Sequence, residues 1–125
     1  MPNNCNNIIL DIAVLTHNHK LFIEDALNSI IRQKTNFGYR ILVLDDCSDD
    51  GSSEIIRNIA EKNPEKFNIL RNKIRLGPLK SAIIISNEMN AKYFCFIDGD
   101  DYWCNENKIQ TQIDFLENNP DYAGC

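Results

Sequence analysis

The chain has 125 residues, 43% hydrophobic and 25% charged, a balance that suits one globular domain with a modest core. A formal net charge of −5 without any basic stripe argues against a nucleic-acid partner, and no apolar run reaches membrane-spanning length. The five cysteines are odd in number and show no C-x-x-C spacing, so they read as free thiols of a reducing cytoplasm.

"MPNNCNN" lacks the charged start and long apolar core of a signal peptide. "IILDIAVLT" (residues 8–16) is mostly apolar and β-branched, and reads as a buried strand. "FIEDALNSIIRQ" follows, with Phe22, Ile23, Ala26, Leu27, Ile30 and Ile31 at the spacing of an amphipathic helix. "YRILVLD" (39–45) is a second buried strand. "SSEIIRNIAEK" repeats helical spacing through Ile55, Ile56, Ile59 and Ala60, after a "DDGS" turn that supplies capping residues. "KFNILRN" is a shorter third strand, and "GPLKSAIIISNEMN" is a helix with Pro78 in its first turn. "KYFCFID" is the fourth strand, where Cys95 reads as a small core residue. "NENKIQTQIDFLENNP" closes the chain as a helix with Ile109, Ile113 and Leu116 on one face, stopped before Pro120.

Four strands alternating with four helices predict an α/β domain with a mainly parallel sheet and helices on both faces. In such sheets ligands bind beyond the carboxyl ends of the strands. Three polar segments fall there: "THNH", "DDCSDDGS" and "DGDDYW". Asp98, Asp100 and Asp101 bring hard oxygen donors together, which suits Mg²⁺ or Mn²⁺ shared with a ligand's phosphates. Acids after a strand equally serve as turn and cap residues. Tyr102 and Trp103 beside them suit a sugar or nucleotide wall, or a lid on the core. Asp45 and Asp46 end the second strand, where a carboxylate accepts hydrogen bonds from a base or ribose, or caps the next helix. His17 and His19 stand where an imidazole can meet a base or phosphate, or simply solvent. Arg71, Lys73, Arg75 and Lys80 form a basic cluster within reach of diphosphate oxygens, or a solvated patch. No G-x-G-x-x-G or G-x-x-x-x-G-K-[ST] loop is present, and Arg57 occupies the position where a calcium loop from Asp46 requires Glu.

The pieces in order resemble glycosyltransferase family 2, inverting nucleotide-sugar transferases of the GT-A fold. The resemblance is carried by "AVLTHNHKLFIEDALNSIIRQ", "ILVLDDCSDDGSSEII" and "YFCFIDGDDYW" followed by "KIQTQIDFLENNPDYAGC". It implies a GT-A, Rossmann-like nucleotide-binding half in a single domain, 1–125. It places Thr16, His17, Asn18, Asp45, Asp46, Gly77, Lys80 and Asp98 in the nucleotide-sugar site. His17 takes the position that packs on the base, Asp46 that of the acid bonded to the base, and Asp98 that of the acid leaning toward the ribose. Asp100 matches the metal ligand of the D-x-D motif, with Mn²⁺ or Mg²⁺ as cofactor. The donor is then a nucleotide-diphosphate sugar, a UDP-sugar first of all, and the acceptor a glycan or lipid-linked molecule. The protein is expected in the cytoplasm, at the inner face of the membrane in a full-length form.

"RLGPLKSAIIISN" departs from the family's N-x-G-x-x-x-A-x-N-x-G: Gly77 is kept, Ser81 replaces Ala, and Ile83 and Ile85 stand at the later positions. The family's acceptor half and general base are expected downstream of residue 125, so the chain reads as a truncated transferase. Self-association through surface thereby exposed is a further expectation. Two other classes share parts of the pattern. A haloacid-dehalogenase-type phosphatase would use Asp98 as nucleophile and Asp100 as general acid, but opens on its DxD strand. A receiver-like signalling module would use "VLDD", but needs a further Asp and a late Lys.

Overall fold

β1 (Ile8–Thr16), β2 (Gly38–Asp45), β3 (Phe67–Arg71) and β4 (Tyr93–Asp98) alternate with α1 (Ile23–Ile31), α2 (Ser52–Lys62), α3 (Pro78–Ser86) and α4 (Lys108–Asn118). A computed structural model describes residues 7–125, and Cys5 lies outside them. The strands form one sheet in the order β3-β2-β1-β4, every pairing parallel. The register sets Thr16 beside Asp45, Leu15 beside Asp98 and Asp45 beside Arg71, so the polar segments named above emerge together at the carboxyl end of the sheet.

Side chains alternate along each strand and feed two cores. Leu10, Ile12 and Val14 of β1 and Tyr39, Ile41 and Val43 of β2 meet Ile23, Leu27 and Ile30 of α1, Ile56 of α2, and Ile109 and Ile113 of α4. Ala13, Leu42 and Leu44 point the other way and meet Ile85 of α3. Three helices therefore cover one face and one helix covers the other. Each fully buried Ile or Leu contributes about 1.5–3 kcal/mol, so the first face carries most of the stability.

The elements match the expected spans closely, but α1 and α3 end sooner and α4 starts later than their sequence patterns suggest. Gln33 leaves α1 because its amide donates to the Asn105 carbonyl at 2.7 Å and accepts from the Ile109 N–H at 3.2 Å. The same contact holds Asn105 outside α4. The helical pattern after α3 breaks because the N–H groups of Asn90 and Ala91 turn to Asp11 Oδ2, at 2.8 and 3.0 Å. Asp11 is wholly buried in β1 and also takes a forked bond from Arg40 at 3.0 and 3.1 Å. Burial pushes its carboxyl upward, but the Arg40 guanidinium and the two backbone donors outweigh burial and hold it below the ordinary aspartate value.

Candidate functional site

The β1–α1 and β2–α2 loops are laced together. Asn18, at φ +54°, donates its N–H to Ser48 Oγ at 2.9 Å, and its own amide oxygen accepts the Asp49 N–H at 2.9 Å. The Lys20 N–H donates to Asp50 Oδ2 at 3.0 Å. Asn is one of the few residues with a side chain that tolerates this left-handed backbone. Asn18 thus serves the loop's shape. It aims its neighbours His17 and His19 rather than facing the cavity itself.

Asp45 is buried and spent on the same scaffold. One carboxylate oxygen accepts the Ser48 N–H at 2.9 Å, and the other takes the Ser53 hydroxyl. Arg71 stands 3.6 Å from that second oxygen and donates to the Ser48 carbonyl at 2.9 Å. Both residues were candidates for ligand contact. In the structure Asp45 ends β2 and caps the turn into α2, and the exposed Arg71 lies beside it.

Asp46 sits at the heart of the loop cluster, 5% exposed. Its Oδ1 accepts from Asn72 Nδ2 at 2.9 Å and from the Leu76 N–H at 2.8 Å, and its Oδ2 accepts the Gly77 N–H at 2.9 Å. Burial raises its pKa, but these three donors, with His17 nearby, overcome that and hold the carboxylate ionised below its ordinary range. Its carbonyl accepts from His17 Nδ1 at 2.7 Å. A carbonyl can only accept, so Nδ1 carries the proton, and the opposite ring edge is left for other partners.

A cavity of about 200 Å³ opens between these loops and the start of α3, lined by Thr16, His17 and His19 from β1's end, Asp46, Arg75, Pro78, Ser81 and Asp98. The ends of β1, β2 and β4 therefore meet in one place. Thr16, His17, Asp46 and Asp98, all candidates from the sequence, are among its lining. Gly77 lies outside the lining and reaches the site through its N–H bond to Asp46, with a backbone (φ +89°, ψ 166°) that glycine alone adopts readily. Lys80 is exposed and lies outside the lining, while Arg75 of the same basic cluster lies within it. His19, named with His17 as an imidazole able to meet a base or phosphate, lines the cavity too, and Ser81 does so without having been singled out as a ligand. Ser81 is buried and accepts from Asn72 Nδ2 at 3.1 Å, so one Asn bridges it to Asp46.

Beyond Asp98 the chain turns tightly. The Gly99 N–H donates to the Leu15 carbonyl at 2.9 Å and the Asp101 N–H to the Asp98 carbonyl at 3.0 Å. The turn brings one oxygen each of Asp98, Asp100 and Asp101 within 4.8 Å of one another, all exposed. Three hard oxygens converging at a solvent-facing tip fit a divalent cation of the Mg²⁺ or Mn²⁺ kind that keeps further positions for water or phosphate. On the far side of the tip Trp103 is half-buried, with Lys108 Nζ 4.8 Å from its ring centre.

With this geometry in place, comparison with known proteins is decisive. The sequence description of one family, glycosyl transferase family 2, matches residues 11–125. The chain belongs to glycosyl transferase family 2. Family membership favours the transferase reading over the phosphatase and receiver alternatives. Among curated relatives, the abequosyltransferase RfbV of Salmonella typhimurium is 29% identical over 121 residues, which cover 94% of this chain and 35% of that protein. The fold matches that of the mannosyltransferase PcManGT from Pyrobaculum calidifontis, solved with GDP-Man and Mn²⁺, at a TM-score of 0.79 and 20% identity over 93% of this chain and 34% of that one. It also matches Staphylococcus aureus TarS 1-349, solved with UDP-GlcNAc, at a TM-score of 0.78 and 23% identity over 89% of this chain and 32% of that one. The family 2 chain spans about a third of the length of the curated relatives it matches first. Among its described residues no helix is long and apolar enough to cross a membrane.

Proposed function

We propose that the chain is the donor-binding part of an inverting, metal-dependent glycosyltransferase that takes a nucleotide-diphosphate sugar. The observation that carries this reading is the shared cavity: His17, Asp46 and Asp98, from three different strand ends, line one space that ends at the acidic tip. A base seated there meets the free edge of His17 and the outer surface of the Asp46 clamp. The ribose lies toward Asp98, and Arg75 stands ready for phosphate charge.

Asp100, with Asp98 and Asp101 beside it, would hold Mn²⁺ or Mg²⁺, which when bound neutralises charge on the leaving diphosphate. The PcManGT structure with GDP-Man and Mn²⁺ and the TarS structure with UDP-GlcNAc support a donor of this class. A uridine donor remains the first choice, and a glycan or lipid-linked acceptor at the cytoplasmic face of a membrane completes the reading. By the family resemblance, the residues named here serve donor binding, and none of them is assigned as the general base. Calorimetric titration with UDP and GDP, each with and without Mn²⁺, tests the proposal. Metal-dependent binding of one diphosphate is expected. Metal-independent binding, or none of either nucleotide, overturns it.

A further inference from the structure

The His19 side chain has no part in the scaffold just described, yet its position is tightly set. The residue's carbonyl accepts the N–H groups of Phe22 and Ile23 at 2.9 and 2.8 Å, which starts α1 whatever side chain is present. The ring turns the other way. Its Nδ1 lies 3.0 Å from Oγ1 of Thr16, a buried residue, and its Nε2 lies 3.9 Å from Asp100 Oδ2.

Gly99 makes this approach possible. A Cβ on Gly99 would stand 2.6 Å from Thr16 Oγ1, 2.8 Å from Thr16 Cβ and 2.9 Å from His19 Nδ1. The turn between Asp98 and Asp100 is thus pressed against the Thr16–His19 pair with no room for a side chain. Donor and acceptor assignments follow from the partners. A carboxylate only accepts, so the neutral imidazole best matches its surroundings with the proton on Nε2, facing Asp100, and Nδ1 accepting from the Thr16 hydroxyl.

Resting on the donor-and-cation reading above, we infer that His19 is a positioning residue. Braced by Thr16, it holds one oxygen of Asp100 so that the other faces the cation. A gap of 3.9 Å closes to a hydrogen bond with a small rotation of either side chain, as hydrogen bonds that are long in an unliganded site tighten once it is occupied. Such outer partners of a metal ligand contribute roughly 10–100-fold to metal affinity.

The test is Mn²⁺ uptake, read by loss of the free-ion EPR signal, with UDP in one arm and GDP in the other. The wild-type chain is compared with His19→Ala, His19→Gln and Thr16→Val. His19→Ala is expected to weaken Mn²⁺ binding roughly 10-fold or more with unchanged metal-free thermal unfolding. His19→Gln, which keeps a terminal N–H, recovers most of the affinity, and Thr16→Val loses part of it. Equal affinity in wild type and His19→Ala overturns the inference while leaving the cation reading intact. No uptake by the wild-type chain in either arm overturns both. A directly coordinated nitrogen in the pulsed EPR spectrum of the wild-type complex would make His19 a ligand and also overturn the positioning role.

Discussion

Asp46 shows how one residue can both clamp distant segments and line a cavity. It was readable as a ligand candidate because it ends a strand in an α/β sheet. That it also clamps the segment from Asn72 to Gly77 was not readable, because the partners lie 26, 30 and 31 residues away and two of them are backbone N–H groups. The His19–Asp100 approach was hidden for the same reason, while the Asp98–Asp100–Asp101 cluster was plain from local spacing alone. Replacing Asp46 with Asn tests the clamp. An amide has one acceptor atom where three donors converge, so the variant is expected to lose about 1.5–3 kcal/mol at neutral pH. The native carboxyl is held below its ordinary value of 3.8. Its contribution is therefore fully present above that pH and is lost as pH falls through the folded value. Urea unfolding of wild type and Asp46→Asn should show a gap that is constant from pH 7 to 5 and narrows below 3.8. A gap that widens on acidification would contradict the clamp.

At the scale of elements, β1 and α2 match their expected spans end to end, since continuous apolar character and 3.6-residue spacing are local signals. Helix ends were less readable. α1 and α3 each stop, and α4 starts, where a polar group is drawn to a partner from another element, through Gln33, Asn90 and Asn105. The start of α3 is sharper. Pro78 suits the first turn, and Gly77 before it holds a φ of +89° that no bulky residue adopts cheaply. Nothing lies within 4 Å of a Cβ added at Gly77. Gly77→Ala is therefore a test of backbone strain alone, with no steric clash. The expected cost is about 1–3 kcal/mol of unfolding free energy. Because the Gly77 N–H binds Asp46, nucleotide affinity should fall with it. A substitution that left both thermal unfolding and nucleotide affinity unchanged would show that the entry to α3 relaxes freely.

For the whole molecule, the alternation of strands and helices pointed to a parallel sheet, but strand order depends on contacts between distant segments and had to be seen. That order places β4 at an edge, with one side free of hydrogen-bonded neighbours among the described residues. The uneven helix cover adds to this. α3 packs over β1 and β2 on its face, while Phe94 and Phe96 of β4, on the same face, stay 67% and 44% exposed in an edge-to-face pair with ring centres 6.0 Å apart. An edge strand carrying exposed aromatic residues is a template for pairing with another chain. The isolated 125-residue chain is therefore expected to self-associate through β4, and light scattering after size exclusion should show mass rising with concentration. Replacing Phe94 and Phe96 together with Lys puts charge on the edge and should return the chain to a monomer. Neither side chain lines the cavity beside Asp46, so nucleotide binding should survive the double change. Association that persists in the double variant would place the contact elsewhere, and a wild-type chain that stays monomeric at every concentration would show that the exposed strand is tolerated as it stands.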